Sequence, residues 1–108
     1  MIAVLGAGES GVGAALLAKQ KGYDVFVSDS GSVKDHFQNE LVSAGLEWEQ
    51  GEHNEEKILS ANLLIKSPGI PETKLVAKAR AKGIEVLLNN ILETNYYTIN
   101  HVHQNFIE

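Results

Sequence analysis

Gly6-Ala7-Gly8-Glu9-Ser10-Gly11 carries the first chemistry legible in the chain, because it satisfies the spacing G-x-G-x-x-G. It follows an apolar run, Ile2–Leu5, and opens onto a stretch of small residues. In such a loop the first glycine permits a tight turn. The second lets backbone approach an anion, and the third lets a helix pack closely on a strand. Unsatisfied N–H groups and the helix dipole then face the anion, so the chemistry is phosphate holding. The same glycines could make a tight turn with no ligand, but the strand–loop–helix context favours the ligand.

Asp29 ends the second apolar run and is the natural partner of that loop. In a dinucleotide fold an acid at this place accepts hydrogen bonds from a ribose. The competing reading is a helix cap, which Asp29 or Ser30 could supply equally well. Ligand contact is preferred, because strand ends line the crevice of such sheets. Glu9 sits badly with a dinucleotide, since a carboxylate beside a pyrophosphate is unfavourable unless it points away. Ser67-Pro68-Gly69-Ile70-Pro71 adds a second short loop, with Pro68 fixing φ and Gly69 admitting a close neighbour. Taken alone, that loop reads as a plain strand-to-helix turn.

The elements that must position these loops follow from periodicity. Ile2–Leu5 is a buried strand. Residues 10–21 form a helix with Val12, Leu16 and Leu17 on one side, filled in by Gly11, Ala14, Ala15 and Ala18 and ended by Gly22. Val25, Phe26 and Val27 restart a strand. Ser32 and Asp35 suggest a capping box for a second helix, whose apolar face is Val33, Phe37, Leu41 and Ala44. "LEWEQ" is a third strand, with Trp48 in sheet packing, and residues 55–59 form a weak helix before the strand "NLLIKS". Pro71 suits the first turn of a helix that turns Leu75, Val76 and Ala79 inward, and "IEVLL" is a fifth strand. Strands alternating with helices imply right-handed crossovers. The expectation is an α/β, Rossmann-like three-layer domain over residues 1–88, with a parallel sheet of about five strands. Residues 89–108 differ in composition, being rich in Asn and free of Gly and Pro, and form a tail of unassigned structure.

Composition bounds the partners. The 108 residues suit one domain, and 44% hydrophobic with 21% charged residues is near the average for a soluble globular chain. A formal charge of −5 argues against nucleic acid and anionic membrane, both of which need a basic footprint. A phosphate ligand survives that argument, because backbone N–H groups can hold it. The absence of cysteine excludes disulfides and thiolate chemistry. No apolar stretch reaches membrane-spanning length and the N-terminus has no basic signal-peptide region, so the chain reads as cytoplasmic. His101, His103 and Glu108 lack the ligand count of a metal site and read as solvated tail.

The stretches "VLGAGESGVGAALLAKQKGYDVFVSD", "GLEWEQGEH" and "LLIKSPGIP" together resemble the N-terminal domain of the Mur ligases, most closely its D-glutamate-adding branch, over roughly residues 1–86. The resemblance implies a domain that holds the UDP end of UDP-N-acetylmuramoyl-L-alanine rather than NAD. It implies that Gly8, Glu9, Ser10 and Gly11 line the nucleotide site, that Asp29 and Ser30 meet the uracil region, and that Ser67, Pro68 and Gly69 close over it. Relatives often carry arginine after the acidic pair, where this chain has Gly31. His53 matches a glycine-x-histidine of relatives and implies a role in loop structure. The complete enzyme would use ATP and magnesium to form an acyl-phosphate that the amine of D-glutamate attacks. No G-x-x-x-x-G-K-[ST] occurs here, so no catalytic residue or cofactor is assigned to this chain; central and C-terminal ligase domains would supply them. Both a fragment with a divergent tail and a stand-alone relative fit. Two readings stand beside it: a stand-alone NAD-binding Rossmann module of a dehydrogenase or regulator, and an interaction protein whose loop is empty.

Overall fold

The structure is a computed structural model that describes residues 1–67, 70, 71 and 73–88. Strands and helices alternate as β1 (Ile2–Leu5), α1 (Glu9–Gln20), β2 (Val25–Asp29), α2 (Asp35–Ser43), β3 (Glu47–Gln50), α3 (Glu55–Ile58), β4 (Leu63–Lys66), α4 (Lys74–Ala81) and β5 (Glu85–Leu88). Every strand pair is parallel, and the sheet order is β3-β2-β1-β4-β5. The chain therefore runs outward from β1 to β3, then returns to place β4 on the other side of β1. That reversal leaves a crevice at the carboxyl ends of β1 and β4, where ligands of open α/β sheets bind. The α/β Rossmann-like architecture expected from the sequence is the one observed.

Strand alternation divides the interior into two cores. Ile2 and Val4 face one way, onto Val12, Ala15 and Ala18 of α1 and Leu41 of α2. Ala3 and Leu5 face the other way, onto Ile58 of α3 and Leu75, Val76 and Ala79 of α4. Each strand of the central pair is thus apolar on both sides, as a doubly covered parallel sheet requires. The two edges differ in chemistry. β3 presents Glu47, Glu49 and Gln50, while Trp48 packs against the first core. β5 presents Val86, Leu87 and Leu88, the last of them 50% exposed. Among the described residues, no helix is long and apolar enough to cross a membrane.

Three local expectations are corrected. In α1 the buried residues are Gly11, Val12, Ala14, Ala15 and Ala18, while Leu16 and Leu17 are only partly covered. Small side chains bring this helix close to the sheet and leave the leucines at its flanks. The capping box from Ser32 to Asp35 does not form. Lys34 holds the N-cap position of α2 with no side-chain cap, because buried Val33 keeps the chain extended just ahead of the helix. Pro71 lies ahead of α4 rather than in its first turn. Thr73 is the N-cap, its hydroxyl accepting from the Val76 N–H at 3.4 Å.

Candidate functional site

The glycine loop at the end of β1 shows why each glycine stands where it does. Gly6 has φ +101°, a conformation that L side chains rarely adopt. A Cβ on it would also lie 2.6 Å from Cδ1 of Ile70, so the loop after β4 reaches across and covers it. A Cβ on Gly11 would overlap the carbonyl oxygen of Gly6, which is how closely α1 sits on its own loop. Around Gly8 there is nothing within 4 Å of a built Cβ, so this backbone alone of the three is open to a ligand.

Side-chain hydrogen bonds hold the surrounding loops. Asp29 accepts the Ala7 N–H on Oδ2 and the Gly31 N–H on Oδ1, each at 2.8 Å, and so clasps the glycine loop to the turn after β2. Ser10 and Ser67 bring their hydroxyl oxygens to 2.9 Å and tie the first turn of α1 to the end of β4. Lys66 is buried and donates to the Ile70 carbonyl at 2.5 Å, bracing the loop that covers Gly6. Ser28, also buried, donates to Glu49 Oε2 at 2.6 Å and meets His53 Nδ1 at 2.6 Å. With its one proton given to Glu49, the Ser28 oxygen accepts from His53, which fixes the imidazole as the Nδ1–H tautomer. The Asn54 N–H completes this buttress on the same Glu49 oxygen.

A cavity of about 420 Å³ opens beside the loop on its β2 side. It is lined by Ala7, Gly8 and Glu9 of the glycine loop, by Asp29 at the end of β2, and by Ser32, Lys34, His36 and Phe37 around the start of α2. The N-terminal ends of α1 and α2 both lie at this cavity, and neither has a side-chain cap. Their first-turn N–H groups and dipoles therefore favour an anion. The His36 and Phe37 rings stand 4.0 Å apart, centroid to centroid. A second cavity of about 490 Å³ shares Glu9, His36 and Phe37 and continues between α1 and α2 over Val12 and Leu16.

The residues singled out in the sequence fall into separate places. Gly8, Glu9 and Asp29 line the cavity. Ser10 turns toward Ser67 on the β4 side, and Gly11 is buried behind the loop. Ser30 is exposed next to Asp29 but does not line the cavity. Pro68 and Gly69 lie outside the described residues, as do His101, His103 and Glu108. Among the described residues, no group of three His, Cys, Asp or Glu side chains could hold a metal ion. Lys34 and His36 carry no mark in the sequence, and Ser32 and Phe37 read there only as a helix cap and an apolar face, not as cavity lining. Their signal was position: the segment after a β2 strand-end acid must run along the carboxyl edge of the sheet.

Several known proteins are similar to this chain. The family described as "Mur ligase MurD-like, N-terminal domain" matches residues 1–88. A UDP-N-acetylmuramoylalanine–D-glutamate ligase of Cytophaga hutchinsonii is 61% identical over 87 residues, covering 80% of this chain and 19% of the relative. The ligase of the same name from Bacteroides fragilis is 52% identical over 87 residues, covering 80% of this chain and 20% of the relative. Among solved structures, a pseudomurein peptide ligase type C from Methanothermus fervidus superposes with a TM-score of 0.66 at 28% identity, over 82% of this chain and 18% of that one. The chain thus spans about a fifth of the length of these relatives. It belongs to the MurD-like family of Mur ligase N-terminal domains.

Proposed function

We propose that residues 1–88 bind the UDP end of a UDP-N-acetylmuramoyl-peptide, UDP-N-acetylmuramoyl-L-alanine, and anchor it for a D-glutamate-adding ligase. ATP, magnesium and the bond-forming step belong to central and C-terminal ligase domains, and residues 89–108 lie beyond the binding unit. The observation that carries this reading is that the crevice is shut on one side. A dinucleotide lying across the sheet reversal would have to pass from β2 over Gly6 toward β4. Ile70 covers Gly6, and the Ser10–Ser67 contact closes the way beyond it. The cavity between the glycine loop and α2 stays open, and its volume suits one nucleotide.

The chemistry of the lining supports the same ligand. Open backbone at Gly8 and Glu9 can meet a phosphate at the start of α1. The Asp29 carboxylate takes one N–H on each oxygen and keeps further acceptor capacity toward the cavity. A remaining lone pair can accept an imide N–H, and the Ser32 hydroxyl lines the same cavity and can meet a carbonyl.

A thermal-shift titration with UDP, UDP-N-acetylmuramoyl-L-alanine and NAD in parallel tests this. A ligand at about 100 times its dissociation constant should stabilise the fold by about 2.7 kcal/mol. Stabilisation by the two UDP compounds and indifference to NAD is the expected result. Stabilisation by NAD alone would restore the dinucleotide reading and overturn this one.

A further inference from the structure

We propose that Lys34 is the residue that lets this cavity accept a diphosphate, by supplying the positive charge that the glycine loop lacks. The inference rests on the nucleotide reading above and deepens it by assigning specificity to one side chain. Glu9 and Asp29 bring two carboxylates to the cavity, against which Lys34 sets one ammonium. Helix N-termini and backbone N–H groups offer dipoles but no net charge. A nucleoside diphosphate entering past two carboxylates therefore needs a cation, and Lys34 lines the same cavity as Glu9 and Asp29.

Two observations show that this cation is available and placed. The ammonium groups of Lys57, Lys66, Lys78 and Lys82 are each engaged, with Glu47, the Ile70 carbonyl, Glu55 and the Leu59 carbonyl respectively. That of Lys34 has no hydrogen bond or ion pair among the described residues. Its backbone, by contrast, is firmly held. Buried Val33 gives its N–H to Gln50 Oε1 at 2.8 Å and takes the Gln38 amide on its carbonyl at 2.7 Å. The Lys34 carbonyl accepts the N–H groups of Phe37 and Gln38, both at 3.0 Å. The root of the side chain is thus fixed from both directions, while its tip is free to meet a ligand. Such an arrangement is preorganised for binding without being needed for folding.

Calorimetric titration of the whole chain with uridine, UMP and UDP, on the wild type, Lys34→Gln and Lys34→Arg, tests the assignment. Melting curves without ligand should coincide for the three proteins, since the side chain is exposed. Lys34→Gln should weaken UDP by about tenfold and uridine by less than about twofold, because only the phosphates carry charge. Its UDP affinity should also fall less steeply with added salt, and Lys34→Arg should restore most of the loss. If Lys34→Gln binds UDP as the wild type does, or loses UDP and uridine equally, the assignment is overturned while the nucleotide reading stands. A wild type that binds none of the three overturns both, and that result is read in a separate arm.

Discussion

Tyr23 is the one buried side-chain polar group without a hydrogen-bond partner among the described residues. It packs beside the α1–α2 core, and desolvation there pushes its phenol above the ordinary tyrosine value of 10.0. The neutral form is therefore the one the fold prefers. With the folded value above the unfolded one, the associated stability is fully present below about pH 10 and is lost as pH rises through the raised folded value. Replacing the hydroxyl removes both the unpaired group and its titration. Tyr23→Phe is expected to be neutral or stabilising by up to about 1 kcal/mol near neutral pH. Its advantage over the wild type should grow above about pH 10. Urea denaturation of the two proteins at both pH values measures this, and a clear loss of stability in the variant at neutral pH would show that the hydroxyl has a partner.

The loop and helix around the glycines separate two requirements that one motif carries. Gly11 is needed for assembly, because a Cβ would meet a backbone carbonyl that cannot move aside. Gly8 is open and extended, with φ −88° and ψ −164°, so alanine fits there without strain. Gly11→Ala should therefore cost about 3 kcal/mol or more, or prevent folding. Gly8→Ala should melt within a few degrees of the wild type yet lose affinity for UDP, as thermal shift and titration together would show. Equal damage from both substitutions would contradict this division. The glycine spacing and the apolar runs made every strand and helix legible in the sequence, since periodicity and breakers act within a few residues. The covering of Gly6 by Ile70, the clasp made by Asp29 and the cavity wall at Lys34 were not legible. Each joins residues more than twenty apart, or depends on where a helix starts, as when buried Val33 delayed α2 past Ser32.

At the scale of the molecule, the sheet separates two cores that share no side chain. Leu41 is fully buried on one face and Ile58 on the other. Leu41→Ala and Ile58→Ala should each cost about 2–5 kcal/mol, measured by denaturant unfolding. The costs should add within about 0.5 kcal/mol, since the two sites touch no common partner. Domains of this size are typically stable by about 5–15 kcal/mol, so the double variant should lose a large share of its stability. A strong interaction between the two changes would mean that the sheet transmits strain from one face to the other. The same layering gives the sheet a direction. At β3 the edge carries Glu47, paired with Lys57, and Glu49, held by Ser28 and the Asn54 N–H, so charged and already engaged groups line it. At β5 the strand carries Glu85 followed by Val86, Leu87 and Leu88, the more apolar of the two edges. The two rims thus differ in kind, one polar and one greasy, so a sixth strand would be expected to join beside β5 rather than beside β3.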